Sequence, residues 1–233
     1  MIGWCEENLQ HFRDQYYIIF NLTGAFKSLQ GYMNIAGMFY ADEIVYIFET
    51  GSSLLRIPRL PIRVDDKELR IWRTELALLS QGHVYEADQV EGLPDALLDK
   101  DKSSHVSLSD WGIVIWNRIR EGLLSEELLP FPRLQYEGKF SRDFRQISNK
   151  EKFALQEVLA KVSSLLESHN GDTSALKSDG GLQYDNYTNQ RTPDGSPIGH
   201  FRVSQGLRVS CVMNGGILTL RRYGREPDVN GNP

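Results

Sequence analysis

The chain has little cysteine and no long apolar run. Its 233 residues include only two cysteines, Cys5 and Cys211, whose separation does not suggest a disulfide framework. The five histidines form no H-x-x-x-H pair and no C-x-x-C occurs, so no ordinary zinc spacing is present. The longest apolar stretch, Tyr16 to Phe20, is far shorter than the roughly 18 residues of a membrane-spanning helix. We therefore expect a soluble, cytoplasmic protein of one or two domains that uses no metal or other cofactor.

Acidic residues are also missing from one segment near the C-terminus. The net charge is -5, and aspartate and glutamate crowd the segment between residues 65 and 110. The segment from His200 to Arg225 has no acid and five arginines, Arg202, Arg208, Arg221, Arg222 and Arg225. This asymmetry predicts a basic surface that binds phosphate. The prediction fails if the arginines pair with acids such as Asp143 or Glu157, or lie on opposite faces.

Apolar periodicity in residues 1–65 predicts part of a doubly wound fold. Residues 1–15 have the spacing of a helix, with Trp4, Leu9 and Phe12 as core-facing candidates. The strand "YYIIF", a helix through Gly37 and the strand "EIVYIFET" then form a βαβ unit with a parallel sheet. The stretch "SLLRIPRLPIRV" predicts a further short strand, and its prolines place that strand at a sheet edge.

The spacing of apolar residues changes twice after residue 65. Residues 66–132 predict a mostly helical connector that ends in the proline-rich linker "LPFPR". In residues 136–233, a long amphipathic helix precedes the strands "GHFRVSQ", "LRVSCVMN" and "ILTLRRYG", which turns at "QG" and "NGG" join into an antiparallel meander. The predicted fold class is α/β, with a partial Rossmann-like parallel sheet, a helical middle region and a C-terminal α+β domain.

The stretch "NLTGAFKSLQ" forms the corner between the first strand and the next helix. A backbone that turns there presents amide groups and the positive end of the helix dipole, which together favour an anion. Gly24 allows close approach of the backbone, Asn21 and Thr23 offer polar side chains, and Lys27 is within reach of the same phosphate. Such corners occur in every doubly wound fold, and a solvated lysine is an equally open interpretation of Lys27.

The sequence "NLTGAFKSLQGYMNIAGMFYADEIVYIFE", followed by "LLRIPRLPIRV", resembles the later half of a CRISPR-associated Rossmann-fold (CARF) sensor domain. The resemblance implies that Asn21, Thr23, Gly24 and Lys27 bind a cyclic oligoadenylate across a homodimer axis. Ala25 stands where the family has a second glycine. The family's opening strand, Gly-Thr-Ser turn and first helix are absent from residues 1–65. We therefore expect a truncated sensor domain with a shallow, incomplete pocket.

The order of a helix and then an arginine-bearing meander is similar to the RelE family of ribosome-dependent mRNA endonucleases. This resemblance implies a catalytic set of His200, Arg202, Arg208 and Arg225, with Arg221, Arg222 and Tyr223 binding RNA. Residues 200 and 202 share a sheet face because strand side chains alternate. Cleavage through the RNA 2′-hydroxyl needs a base, for which His200 is suited, and cations to stabilise the phosphorane, for which the arginines are suited.

Together the two resemblances imply a CRISPR-associated CARF-RelE fusion that acts in antiviral defence. Such a protein is a metal-independent endoribonuclease with cyclic oligoadenylate as its allosteric activator. The implied partners are the ribosome, mRNA and a second copy of the chain, with no membrane and no DNA. Two alternatives stay open. One is a non-catalytic, truncated sensor that only dimerises, and the other is a ring nuclease that degrades cyclic oligoadenylate through Lys27 and Thr23.

Overall fold

The described residues form a mixed α/β structure with three sheets, two of which contain a parallel pair of strands. The computed structural model describes residues 2–24, 27–48, 51 and 53–233, without the side chains of residues 10, 11, 27 and 28. The chain divides into two compact units: unit 1 is Met1–Asp65 with Asp110–Ile115, and unit 2 is Asp66–Ser109 with Trp116–Pro233. The predicted division into domains 1–65, 66–132 and 136–233 stays a prediction.

Unit 1 contains the predicted βαβ arrangement. Its first two strands pair in parallel, with Phe20 opposite Ile44. The third strand pairs antiparallel with the second and occupies a sheet edge, as its prolines predict. The elements of residues 1–65 are α1 (Ile2–Phe12), β1 (Ile19–Asn21), α2 (Lys27–Tyr40), β2 (Glu43–Ile47) and β3 (Leu54–Pro58).

Helix α2 covers one face of this sheet. A Cβ atom built on Gly37 would lie 2.6 Å from Cδ1 of Ile44, so the close approach of helix and strand requires glycine. Phe20 lies on the same face, because it is opposite Ile44 in the register. The other face carries Ile19 and Ile47, which are 48% and 36% exposed. Val45 on that face is buried, so the second face of the sheet is covered only in part within unit 1.

Helix α1 packs through a different side from the one that its sequence predicts. Trp4 and Phe12 are 59% and 49% exposed, so the prediction that they face the core is wrong. Leu9 does pack against the core. The packed side repeats at Ile2, Cys5 and Leu9, a helical spacing that excludes Trp4. The buried cluster comprises Ile2, Cys5, Ala36, Tyr40 and Val114.

The segment after unit 1's strands contains helices and, in addition, a small antiparallel sheet that the sequence did not predict. Val106 is fully buried in the central strand, between exposed His105 and Ser107, which is the two-residue period of a strand. Such a short run is too brief to predict from periodicity alone. Its elements are α3 (Arg73–Ser80), β4 (Tyr85–Glu86), β5 (Leu98–Lys100), β6 (His105–Leu108) and α4 (Asp110–Leu124).

The C-terminal part of unit 2 is a five-stranded sheet with helices against it. The predicted meander is confirmed as β9, β10 and β11, which pair antiparallel in that order. Two strands are added at the edges: β7 pairs in parallel with β11, and β8 pairs with β9. The elements are β7 (Leu134–Tyr136), α5 (Gly138–Gln146), α6 (Asn149–Ser168), α7 (Ser174–Ser178), β8 (Asp185–Arg191), β9 (Pro197–Ser204), β10 (Leu207–Asn214), β11 (Ile217–Arg225) and α8 (Glu226–Gly231).

The core of unit 2 lies along α6 and one face of this sheet. Leu155, Leu159 and Val162 of α6 are fully buried, as are Phe201 and Val209 of the sheet. Gln156 is also fully buried on α6, and its amide satisfies three backbone groups. Oε1 accepts from the backbone N of Leu129 at 2.8 Å, and Nε2 donates to the carbonyl oxygens of Leu124 and Glu127 at 2.6 and 3.0 Å. This side chain fixes the connection between α4 and β7.

Candidate functional site

The meander brings three of the predicted catalytic residues to one sheet face. In the register of β9 and β10, Arg208 lies opposite Arg202, and Ser210 lies opposite His200. Directly opposed residues in an antiparallel pair point to the same face, and residues two apart on one strand do so as well. His200, Arg202 and Arg208 therefore share the face that is opposite the buried Phe201 and Val209. We call these three residues the meander cluster.

The imidazole of His200 lies in a partly buried and electrostatically mixed environment. Its ring centroid is 4.5 Å from that of Tyr187 on β8, and its Nδ1 is buried with no hydrogen-bond partner in the described structure. Burial lowers the pKa of His200, and the Arg208 guanidinium lowers the pKa further, while Asp185 and Glu226 partly oppose them. The neutral ring, which can accept a proton, is therefore the favoured form at neutral pH.

Three of the five arginines in the acid-free segment form ion pairs. Arg208 Nε lies 2.9 Å from Oε1 of Glu226, and Arg221 Nε donates to Oε1 of Glu137 at 3.1 Å. Arg222 Nε donates to Oδ2 of Asp143 at 2.8 Å. The acids come from outside the segment: Asp143 from α5, Glu137 from the residue before α5, and Glu226 from α8. The expected basic surface of five arginines is therefore not formed, because most of them are neutralised by neighbours distant in sequence.

Arg222 lies opposite Ser210, so the register places it on the same face as the cluster, whereas Arg225 and Tyr223 lie elsewhere. Arg225 is exposed, but it lies opposite Leu207, so the register does not place it on the face of Arg208. Tyr223 lies opposite Val209 on the core face, is 4% exposed and has its pKa raised to about 12 by burial. Its ring is not accessible for stacking on a base. Arg202 forms no ion pair with any residue in the described part of the chain.

Sequence reasoning missed the groups that surround His200. Tyr187 belongs to β8, in a stretch whose Asp, Gly, Asn and Pro content predicts a loop, and its hydroxyl donates to Oδ1 of Asn230 at 2.6 Å. Glu226 begins α8, which lies against β10 and β11. The only local signal for β8 is a weak polar alternation around Tyr187. The signal for α8 is Pro227 in its first turn.

The second candidate site is the corner between β1 and α2. Asn21 Oδ1 accepts a hydrogen bond from the backbone N of Thr23 at 3.0 Å, and Thr23 Oγ1 accepts one from the backbone N of Ile47 at 3.0 Å. Gly24 follows with φ of +77°, a conformation that favours glycine. These contacts join the carboxyl ends of two parallel strands, which is where open α/β sheets bind ligands.

The predicted order of strand, turn and helix is confirmed at this corner. One backbone amide is arranged differently from the prediction. The amide of Thr23 is already satisfied by Asn21, so it does not face an open groove as expected. Asn21, Thr23 and Gly24 are exposed. Ala25 and Phe26 lie outside the described residues. Lys27 begins α2, and its side chain is likewise not described.

Residues 2–24, 27–48, 51 and 53–233 contain neither a metal-binding cluster nor a helix suited to a membrane. No group of three or more His, Cys, Asp and Glu side chains there has the geometry to hold a metal ion. None of the helices described combines the length and the apolarity that crossing a bilayer would require.

Comparison with known proteins concerns mainly the first part of the chain. No curated protein matches the sequence. Residues 1–60 match the family model described as CRISPR-associated protein (Cas_APE2256). The matched segment contains α1 through β3 and thus the Asn21–Gly24 corner. Over this segment the chain is similar to a CRISPR-associated protein, which supports a CRISPR-related role.

Proposed function

We propose that the protein is a CRISPR-associated endoribonuclease that cleaves mRNA on the ribosome and is regulated by cyclic oligoadenylate. The observation that carries the nuclease part is the meander cluster, in which a histidine of lowered pKa shares a sheet face with two arginines. The sensor part is supported by the match of residues 1–60 to a CRISPR-associated family. The resemblances to the RelE and CARF families supply the substrate and the regulator.

The chemistry assigned to the cluster uses a base and two cations, and water supplies the acid. Neutral His200 accepts the proton of the RNA 2′-hydroxyl, whose oxygen bonds to the adjacent phosphorus and forms a 2′,3′-cyclic phosphate. The bond from phosphorus to the 5′-oxygen breaks, and the leaving 5′-oxygen takes a proton from water. Arg202 and Arg208 stabilise the charge that develops on the phosphorane oxygens. Arg208 is paired with Glu226, so it binds the phosphate only after this ion pair breaks. The ribosome orients the 2′-hydroxyl, and this positioning supplies a large share of the rate.

The regulatory role belongs to the corner of unit 1. Asn21, Thr23, Gly24 and Lys27 are proposed to contact the phosphates and bases of a cyclic oligoadenylate, with a second copy of the chain completing the site. Exposed polar groups at the carboxyl ends of β1 and β2 support the proposal. Thr23→Val removes a hydroxyl while conserving volume. It is therefore the sharpest variant for testing whether the messenger controls cleavage.

The test incubates the protein with translating ribosomes and with naked RNA, with and without cyclic oligoadenylate and a metal chelator. We expect cleavage on ribosomes, insensitive to chelator and raised by the messenger. His200→Gln and Arg202→Ala should each lower the rate on the order of a hundredfold. Arg225→Ala is the control, because the strand register places Arg225 away from the face of Arg208. An equal loss of cleavage rate in this variant would show that Arg225 belongs to the catalytic set. Cleavage of naked RNA that the chelator abolishes would refute the mechanism.

A second candidate is a non-catalytic module that binds its partners without cutting RNA. The ion pairs of Arg208, Arg221 and Arg222 favour it, because a paired guanidinium contributes less to transition-state charge. The non-catalytic hypothesis predicts that the wild-type protein sediments with ribosomes and leaves mRNA intact.

A ring nuclease would give a different result in the same incubation. Cyclic oligoadenylate would be degraded by the wild type and would stay intact with Thr23→Val.

A further inference from the structure

A run of cations occupies the corner between α5 and α6. Residues 138–152 contain five basic residues and two acids, a local net charge of 5 − 2 = +3 in a chain whose net charge is -5. Three of the cations recur at intervals of three along α5, and two follow in the first turn of α6. We call the set the basic stripe, and its members are Lys139, Arg142, Arg145, Lys150 and Lys152.

The packing of α5 turns this stripe outward. Phe140 and Phe144 are 0% and 2% exposed, so that side of the helix is held in the core. Arg142 and Arg145 lie on the opposite side of the helical wheel, and both are exposed. Lys152 reaches back from α6, with its Nζ 5.5 Å from the ring centroid of Phe144. The two helices therefore present their cations on a fixed scaffold.

The nearby acids are already engaged. Asp143 accepts hydrogen bonds from Arg222 Nε and from the backbone N of Tyr223, and Glu151 forms the capping box of α6 with Ser148. By contrast, Lys139, Arg142, Arg145 and Lys150 form no ion pair with any residue in the described ranges. This contrast reverses the expectation from sequence, in which the acid-free segment would carry the free positive charge.

A groove of about 420 Å³ runs beside the stripe. Arg145, Lys152 and Ser141 line it together with Glu126 and Glu127. Those two carboxylates are bound by other arginines: Arg70 Nη1 is 2.8 Å from Glu126, and Arg73 pairs with Glu127. The cations on the α5 side of the groove therefore stay free to meet an external anion.

The chemistry of the stripe favours a nucleic-acid backbone over a membrane or an acidic protein. Successive cations on α5 are separated by a rise of about 4.5 Å along the helix axis, a spacing that suits a chain of phosphates. An anionic membrane is disfavoured because the apolar side of α5 is buried in the core and cannot enter lipid. An acidic protein partner would need an apolar centre to the interface, whereas the exposed side of α5 is polar.

We propose that the basic stripe binds the phosphate backbone of RNA without sequence preference and holds it next to the meander. The inference rests on the proposed function in taking RNA as the polyanion, but it concerns binding and not cleavage. Each arginine or lysine that contacts a phosphate releases a counterion, so the affinity falls steeply as salt is added.

The test measures binding of the full chain to a fluorescent single-stranded oligouridylate by anisotropy over a series of KCl concentrations. The variant is Arg142→Glu with Arg145→Glu. The matched control is Lys102→Glu with Lys177→Glu, the same change in charge at exposed lysines elsewhere in unit 2. The stripe variant should bind at least about tenfold more weakly, and the slope of log affinity against log salt should fall by about 1.4. The control should retain most of its affinity.

Equal affinity and equal salt slope in the two double variants would overturn the proposal. Binding of the wild type to vesicles containing phosphatidylserine, without binding to RNA, would also overturn it. His200→Gln separates this inference from the proposed function, because it should lower the cleavage rate on the order of a hundredfold and leave the affinity for the oligouridylate unchanged. If the stripe variant loses RNA affinity while the wild type cuts nothing, the stripe stands and the nuclease proposal fails. Circular dichroism of each variant checks that it is folded.

Discussion

Unit 1 and unit 2 place their apolar side chains very differently. Of the seventeen large hydrophobic residues that are exposed among the described positions, fourteen belong to unit 1 and three to unit 2. Unit 1 nevertheless has fewer than half as many residues as unit 2. The three in unit 2 are Ile71, Val84 and Ile217.

The sheets explain this difference. In unit 1, the parallel pair of β1 and β2 is covered by α2 on one face, while Ile19, Ile47 and Leu54 stay exposed on the other. Parallel strands are normally buried on both faces, which is why they are apolar on both. In unit 2, the antiparallel strands direct Phe201 and Val209 inward and leave polar residues on the opposite face. The comparison teaches that unit 2 is stabilised by its own core, and unit 1 buries much less of its apolar surface.

The largest expected effect comes from removing the same side chain in each unit. Phe140→Ala in unit 2 should lower the free energy of unfolding by about 3–5 kcal/mol, because the fully buried ring leaves a cavity. Phe48→Ala in unit 1 removes a ring that is 60% exposed and should change stability by less than about 0.5 kcal/mol. Urea unfolding followed by circular dichroism measures both. Similar losses in the two variants would contradict the contrast between the units.

A smaller loss is expected from a buried polar side chain of unit 2. Gln156→Leu should destabilise the protein by about 3 kcal/mol, because it leaves the amide of Leu129 and the carbonyls of Leu124 and Glu127 without partners. Asn8→Ala in unit 1 is the control, since its side chain makes one exposed hydrogen bond to the carbonyl of Trp4. Its removal should change the urea midpoint very little. A near-neutral Gln156→Leu would show that solvent reaches the α4–β7 connection.

Two histidines of unit 2 should make the stability of the protein depend on pH. Burial lowers the pKa of His83 and of His200 below the ordinary value of 6.5. As the pH falls through 6.5, the unfolded chain binds protons that the folded protein does not, so stability decreases until the folded-state pKa values are reached. Denaturation midpoints measured above and below pH 6.5 should differ in the wild type. They should differ less in the double variant His83→Gln with His200→Gln, and an unchanged difference would exclude these histidines as the source.

A modest change in stability is expected from the partly exposed face of the unit 1 sheet. Ile19→Ser with Ile47→Ser should lower the free energy of unfolding by about 1 kcal/mol per site, because these side chains are 48% and 36% exposed and so bury only part of their apolar surface. The same change should reduce binding of a hydrophobic dye, since it removes apolar surface. Val209→Ser in the core of unit 2 is the opposite control and should be strongly destabilising. A loss from the unit 1 variant as large as that of Val209→Ser would mean that its face is covered.

Much of the fold follows from local patterns. The two-residue period of the strands and the turns at "QG" and "NGG" predicted the meander, and the helical spacing predicted α6. Near-continuous apolar runs around a helix predicted the parallel pair of β1 and β2. The small sheet of β4, β5 and β6 and the strand β8 were missed, because two to seven residues of mixed polarity carry too little periodic signal.

The sequence by itself determined the meander, α6 and the parallel pair of β1 and β2. It also determined that His200 and Arg202 share a face, because strand alternation is a local property. Only the tertiary structure decided the charge of the candidate site. Arg221 and Arg222 meet Glu137 and Asp143, about eighty residues earlier in the chain, and no local pattern encodes such pairs. The same packing buried Tyr223 and turned the cations of α5 outward, because a side chain's surroundings depend on how distant elements pack against each other.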